Sequence, residues 1–378
     1  MLNAPFSFYI KELGGTEMLV GIAAGGFALT SLLMRPLAGW ILDNKSRSIP
    51  MIWGLMAVTL ITLLYIIFPI LGIAIFLRII TGFLFSGVHT SSSTNASDAV
   101  PKSRFGEGMG FLGLGNTLAS ATGPILGLAI TASLGFQPLF AISISVLLAA
   151  ILIARSIQYK TVGQPGKSYN KKFRLLSLFC PEALPASLVM LFICIPHGGI
   201  SVFIALYGEF SGLGSGGLYF ILLAVGTGST RLFSGRLADK KGEKPMVFIS
   251  AASALLAMIL LTAESSICYY SAGLFFGIAF GISFPAMLAM SMRLVPLEKR
   301  GSASSTFFCS NDIGMGLGSI ISGWLVTVLG YRPMFGIMTV FVFVYLLTYI
   351  LWASKSPSAF KNYLLNQSKS ANGHSAEV

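Results

Sequence analysis

Charge is what this 378-residue sequence has least of. Asp, Glu, Lys and Arg make up only 10% of it, against 54% hydrophobic residues and a mean hydropathy of +0.81. A soluble chain of this length would need far more charge to cover its surface. Long uncharged runs are instead the signal of membrane spans, so an all-α integral membrane protein is expected. Histidine and cysteine are scarce too. His89, His197 and His374, like Cys180, Cys194, Cys268 and Cys309, are scattered without CxxC or metal-ligand spacing, so neither a disulfide framework nor a metal site is expected. There is no Walker loop, HExxH, GxSxG or paired catalytic carboxylates, which argues against an enzyme and against a bound cofactor. The net charge of +12 falls in short clusters between apolar runs rather than in one basic domain, which argues against a nucleic-acid partner.

Those clusters set the orientation. If the segments carrying Asp43 and Asp239 face the cytoplasm, all but three of the 25 Lys and Arg residues lie on or near that side; Lys11, Arg78 and Arg332 are the exceptions. Met1 to Ile10 is apolar but too short to span, and it reads as the outer end of a first helix whose beginning is missing. Spans 2 to 6 follow at about 18–42, 49–68, 73–95 and, within 108–154, two spans folding about Leu134-Gly-Phe-Gln137. The turn Phe68-Pro69-Ile-Leu-Gly72 places Arg78 inside span 4. A basic connector over 155–182 reads as an interdomain linker on the membrane surface. Spans 7 to 12 are expected near 183–208, 217–238, 245–263, 267–292, 302–329 and 333–353, before a polar, disordered cytoplasmic tail at 354–378. The domains are then 1–154, the linker, and 183–353: about eleven full spans plus a stub.

The two halves repeat. Arg35-Pro-Leu-Ala-Gly39-Trp-Ile-Leu-Asp43-Asn-Lys45-Ser-Arg47 is an imperfect copy of Arg231-Leu-Phe-Ser-Gly235-Arg236-Leu-Ala-Asp239-Lys-Lys241-Gly242-Glu, with arginine, glycine, aspartate and lysine at one common offset. Both read as charged cytoplasmic loops.

Two six-span halves, a basic linker and GRLADKKGEK between spans 8 and 9 resemble the major facilitator superfamily over essentially the whole chain. The loop is similar to the family's G-x-L-a-D-r-x-G-r-K; the first copy departs from it, with Asn44 where a basic residue is common and Ser46 where glycine is usual. The resemblance implies two six-helix bundles related by pseudo-two-fold symmetry, a monomer, and a multi-pass location in the cell membrane. It also implies that Asp43 and Asp239 each meet a helix N-terminus of the opposite half, where an anion gains about 0.3–1 kcal/mol. The two latches should differ in strength. Leu77-Arg78-Ile-Ile-Thr-Gly82-Phe-Leu-Phe-Ser-Gly87 resembles the span-4 pattern R-x-x-x-G-x-x-x-x-G. Gly115-Asn-Thr-Leu-Ala-Ser-Ala-Thr-Gly123-Pro124-Ile-Leu-Gly127 resembles the antiporter motif gPxxGG, with Leu128 in place of its last glycine. This favours the drug:proton antiporter branch and a proton gradient as energy source.

The candidate proton-coupling or substrate residues are Arg78, Asp312, its repeat equivalent Asn116, and His197. Intramembrane ionisable groups are costly and usually functional. Each also has a structural reading: a carbonyl-satisfied arginine, a helix-contact carboxylate, and an imidazole serving the kink beside Pro196. Phe83, Phe280, Phe284, Phe307 and Phe308 could line a cavity, although lipid contact is the commoner fate. The expected function is proton-coupled efflux of small amphipathic compounds by alternating access. Uptake or uniport of a sugar or metabolite, and a non-transporting membrane sensor, remain alternatives. In a cysteine-free background, a cysteine at Gly214 should react with an impermeant maleimide on intact cells. One at Lys241 should react only after permeabilisation, and the reverse pattern would overturn the orientation.

Overall fold

The computed structural model describes residues 1–44, 48–99, 105–157, 180–293, 295 and 300–357, and among these the regular structure is helical throughout. The long elements are α1 (Asn3–Glu12), α2 (Glu17–Asn44), α3 (Ile49–Ile67), α4 (Leu71–Ala99), α5 (Phe105–Leu134), α6 (Phe136–Ser156), α7 (Leu184–Phe210), α8 (Gly216–Lys241), α9 (Glu243–Leu261), α10 (Ser266–Met292), α11 (Arg300–Leu329) and α12 (Tyr331–Leu351). Among the described residues, nine helices are long and apolar enough to cross a membrane. Of the remaining long helices, α5 is diluted by glycine and α8 by the charged end Arg236-Leu-Ala-Asp-Lys-Lys241.

Turn chemistry sets the helix ends. α3 stops at Ile67, where the Phe68 amide closes back on the Leu64 carbonyl at 2.9 Å and Pro69 cannot continue the ladder. Single glycines in the left-handed region, Gly135 at φ 85° and Gly330 at φ 86°, make the turns α5–α6 and α11–α12 at corresponding places in the two repeats. GRLADKKGEK departs from the loop expected of it. α8 continues as helix through Lys241, and only Gly242, at φ 77°, turns the chain before α9 begins at Glu243. The first copy likewise stays helical to Asn44; residues 45–47 lie outside the described residues.

The chain divides into two compact units, one of Met1–Leu175, Gly198–Ile221 and Gly316–Gly330, the other of Leu176–His197, Leu222–Met315 and Tyr331–Val378. α7, α8 and α11 each contribute to both, and α7 and α11 divide at glycines, Gly198 and Gly316. The linker proposed at 155–182 lies mostly outside the described residues. The chain returns at Cys180, whose amide donates to Thr306 Oγ1 at 2.9 Å and whose thiol donates to Glu182 at 3.0 Å. Burial, then the Glu182 carboxylate, pushes that thiol above its ordinary pKa.

Within each unit the helices meet along glycine seams. Lipid tails are as apolar as leucine, so helix association in a bilayer relies on close packing and hydrogen bonds rather than on apolar burial. In the first unit a methyl at Gly82 of α4 would fall on the Phe27 carbonyl of α2, and one at Gly26 would meet Ile79 at 2.6 Å. Thr30 Oγ1 crosses the same seam to the Ile79 carbonyl at 2.6 Å. The second unit repeats the device: Gly277 of α10 lies against the Leu223 carbonyl of α8, and Thr227 Oγ1 reaches the Gly277 carbonyl at 3.2 Å. α2 also crosses α11. Gly21 would place a methyl 2.6 Å from the Ser319 carbonyl, Gly25 one 2.7 Å from the Gly316 carbonyl, and Gly323 one 2.8 Å from the Glu17 carbonyl.

At the inner end of the second unit Arg293, capping α10, pairs with Glu243 in the first turn of α9 at 2.9 Å, and the side chains are only 13% and 3% exposed. Removing one member of such a pair leaves an uncompensated buried charge, a loss of about 3–5 kcal/mol. Glu243→Gln and Arg293→Gln should therefore each lower the unfolding midpoint in detergent. The exchange Glu243→Arg with Arg293→Glu should recover more than half of either loss; additive losses would refute the pairing. Gly82→Ala should destabilise by about 1–3 kcal/mol through overpacking. Gly72→Ala, with open space around it, should be nearly neutral in the same melt.

Candidate functional site

In the first unit the polar centre is Arg78, seven residues past the start of α4 and so about 10 Å in from its outer end. It is 5% exposed. α1 and α2 bring its surroundings: the guanidinium lies 4.7 Å from the Phe6 ring and 4.5 Å from the Phe27 ring, and Nη2 donates to Asn3 Oδ1 at 2.6 Å. Gly82, one turn further on, lets α4 approach Phe27 this closely. Nε is buried and makes no hydrogen bond, and Tyr65 on α3 is near enough to interact electrostatically with Arg78. Two cation–π contacts contribute about 0.5–2 kcal/mol each, and a charged hydrogen bond about 1.5–3 kcal/mol. Against these stands a desolvation cost of several kcal/mol for the buried ion. The rings and Asn3 offset much of that cost, and Nε stays buried without a hydrogen bond.

α1 is held in place by an aromatic cluster. Tyr9 donates to the Tyr65 carbonyl at 3.1 Å, and its ring lies 5.1 Å from Phe140 and 5.2 Å from Phe136. The antiporter-like segment of α5 supports the same helix. A methyl at Gly123 would come within 3.0 Å of the Met1 nitrogen, and one at Gly127 would strike the Met1 carbonyl and Pro5. Pro124 sits inside α5 between them, whereas Gly115 faces open space. Asn116 is exposed on the same helix and makes no contact with Arg78 among the described interactions. Equivalence by repeat does not give it the surroundings of Asp312.

Asp312 is in the second unit, on α11, 8% exposed. Its neighbour Asn311 accepts from the Cys194 thiol of α7 at 3.0 Å, and Asp312 itself interacts electrostatically with Cys194. Gly314 sets this approach, since a methyl there would lie 2.7 Å from Cys194 Cβ. One turn along α7, His197 stacks on Phe280 of α10 at 4.2 Å and lies 5.8 Å from Phe276. From Phe280 the rings continue to Phe284 at 5.7 Å, then to Phe307 at 5.4 Å and Phe308 at 6.0 Å on α11, with the Arg231 guanidinium 5.4 Å from Phe284. Phe307 is fully buried. Lipid contact is therefore not the fate of Phe307, whereas Phe280, Phe284 and Phe308 are half-buried.

Asp43 and Asp239 fall in the last turns of α2 and α8; their side chains, with Gly39, Gly235 and the side chains of Arg236 and Lys241, lie outside the described residues, as do Lys45 and Arg47 entirely. A carboxylate in a helix's own last turn is disfavoured by that helix's dipole. Glu243 is the residue that sequence reasoning missed. In the loop pattern its position is basic; here it is acidic, and Arg293 answers it across α9–α10. The reversed sign was the available signal.

Comparisons with known proteins agree with this architecture. The family model of the Major Facilitator Superfamily matches residues 1–310 and 217–364. The staphylopine export protein of Staphylococcus aureus is 21% identical over 91% of this chain and 89% of its own length. A PmrA homologue from Lactococcus lactis, named a multi-drug resistance efflux pump, is 26% identical over 97% and 92%. Among solved structures, an inward-facing bacterial homologue of the human lysosomal transporter Spinster superposes with a TM-score of 0.75 at 16% identity, covering 96% of this chain and 94% of that one. The nucleoside transporter NupG gives 0.72 at 13% identity over 92% and 94%. By its helical order, its repeated seams and a family match spanning both halves, the chain belongs to the Major Facilitator Superfamily of membrane transporters.

Proposed function

We propose that this transporter exports small amphipathic compounds from the cell across the plasma membrane, as a monomer, by alternating access coupled to a proton gradient. The observation that carries the reading is the pair of ionisable side chains buried within membrane helices, Arg78 in α4 and Asp312 in α11. Charge at that depth is costly and is kept where it meets cargo or protons. The names of the relatives, an export protein and a multi-drug efflux pump, support outward movement. The aromatic row from His197 to Phe308 offers an apolar surface suited to amphipathic cargo.

In this reading the bundles 1–154 and 183–353 move as the alternating halves. Asp43 and Asp239 act as latches, and Lys45, Arg47, Arg236 and Lys241 hold the cytoplasmic surface. The α2–α11 glycine crossing supports such a cycle, because backbones this close can part without extracting side chains from a partner. Asp312 is the proton carrier, and Asn116, exposed and uncharged, positions cargo or water. His197 serves the α7 bend at Pro196 while contributing a ring to the cargo surface.

Inside-out vesicles with an imposed pH gradient test the scheme. Wild-type protein should accumulate a fluorescent amphipath while releasing protons. Asp312→Asn should cut gradient-driven accumulation about tenfold or more, the range for losing a positioned proton carrier, while facilitated exchange of the amphipath persists. Accumulation indifferent to the gradient, with the variant equal to wild type, would sink the proton assignment.

A further inference from the structure

We infer that Arg231 of α8 is the polar end of the cargo surface and binds an oxyanion on the amphipath, a conclusion that rests on the reading of the chain as a carrier. Arg231 recurs in both copies of the repeat, with Arg35 as its counterpart, and has no part in the latches proposed above. It lies ten residues, about 15 Å, from the inner end of α8, inside the span expected at 217–238. Its side chain is exposed, whereas Arg78 and Asp312 are buried. Charge within a span is costly and marks function. Of these three groups, Arg231 is the one that a cargo can reach without rearrangement.

Helix geometry turns that exposure toward the aromatic row. α8 meets α10 along Leu223, Thr227, Thr230 and Ser234, which lie against Gly277 and Gly281; Ser234 Oγ donates to the Gly281 carbonyl at 3.2 Å. Leu218, Ile221 and Val225 are exposed on the opposite side of α8, an apolar stripe suited to lipid. Arg231 stands about 70° from the first line and about 115° from the second. It leans toward Phe284, with the guanidinium 5.4 Å from the ring. Phe280 and Phe284, one turn apart, share a face of α10 that is turned away from α9 and α12. Those helices meet α10 elsewhere: Ser250 of α9 donates to the Ala279 carbonyl, and Tyr345 of α12 pairs with Ser283, both at 2.9 Å. His197 of α7 and Phe307 and Phe308 of α11 adjoin the phenylalanine face instead. Arg231 therefore hangs over the inner end of the half-buried rings. Asp312 follows Phe308 by one turn on the same face of α11, toward the outside. The surface is thus polar along its length. An oxyanion is drawn to the Arg231 end and repelled from the Asp312 end, with the apolar body along Phe284 and Phe280. The planar donor fork of a guanidinium matches the paired oxygens of a carboxylate or phosphate.

The test uses the full chain in phosphatidylcholine nanodiscs and three radiolabelled probes of one shape: 2-naphthylacetate, 2-naphthylethanol and 2-naphthylethylammonium. 2-Naphthylacetate should bind about tenfold or more tightly than the other two. Arg231→Gln should weaken its binding about ten- to a hundredfold and leave the alcohol unaffected. Because the side chain is exposed, the unfolding midpoint without probe should not change. Phe284→Leu should weaken all three probes alike, about three- to tenfold, which separates the ring from the charge. Arg35→Gln should bind 2-naphthylacetate as wild type does. Any of four results would overturn the inference. The first is unchanged 2-naphthylacetate binding in Arg231→Gln. The second is equal or tighter binding of the alcohol or the ammonium. The third is an equal loss of midpoint in both arginine variants, which would mark a scaffold role shared by the repeats. The fourth is stabilisation by phosphatidylglycerol that needs Arg231 and that saturating 2-naphthylacetate does not displace, which would assign the guanidinium to a lipid phosphate. Selectivity is read here without transport, so its failure leaves the vesicle result standing. Absent vesicle transport with selectivity intact would sink the carrier reading alone.

Discussion

Close approach of helix backbones is the constraint on which this structure depends. A bilayer gives two apolar helices no reason to prefer each other over lipid, so the contacts that hold them must be short-range. Glycine supplies these by removing the one atom that would keep the backbones apart. Gly82 against Phe27, Gly277 against Leu223, and Gly21, Gly25, Gly316 and Gly323 along the α2–α11 crossing are instances of one device. The threonines beside them, Thr30 and Thr227, convert proximity into direction by donating across the seam to a carbonyl. Arg78 and Asp312 both sit next to such a seam. Arg78 lies one turn from Gly82, and Asp312 lies two residues from Gly314, which brings Cys194 against Asn311.

Scarcity of charge makes each remaining charge informative. Glu243 and Arg293 pair within the second unit.

Much of the fold was legible in the chain. The Phe68-Pro69 turn, Gly135 and the charge gaps between Arg47 and Arg78 placed the helix ends within a few residues, because proline, glycine and charge act locally. The segment GRLADKKGEK was misread for the same reason turned around. Its charge suggested a loop, yet nothing in Arg236 to Lys241 breaks a helix, and the turn needs only Gly242. What surrounds a buried residue was not legible. Arg78 announced itself as a cation in a span, but Asn3, Phe6 and Phe27 lie on two other helices and no spacing rule connects them. Glycine is worse still as a signal, since a missing side chain says that something is close without saying what. Asn116 shows the limit of symmetry: the repeat equates it with Asp312, and one is exposed while the other is buried.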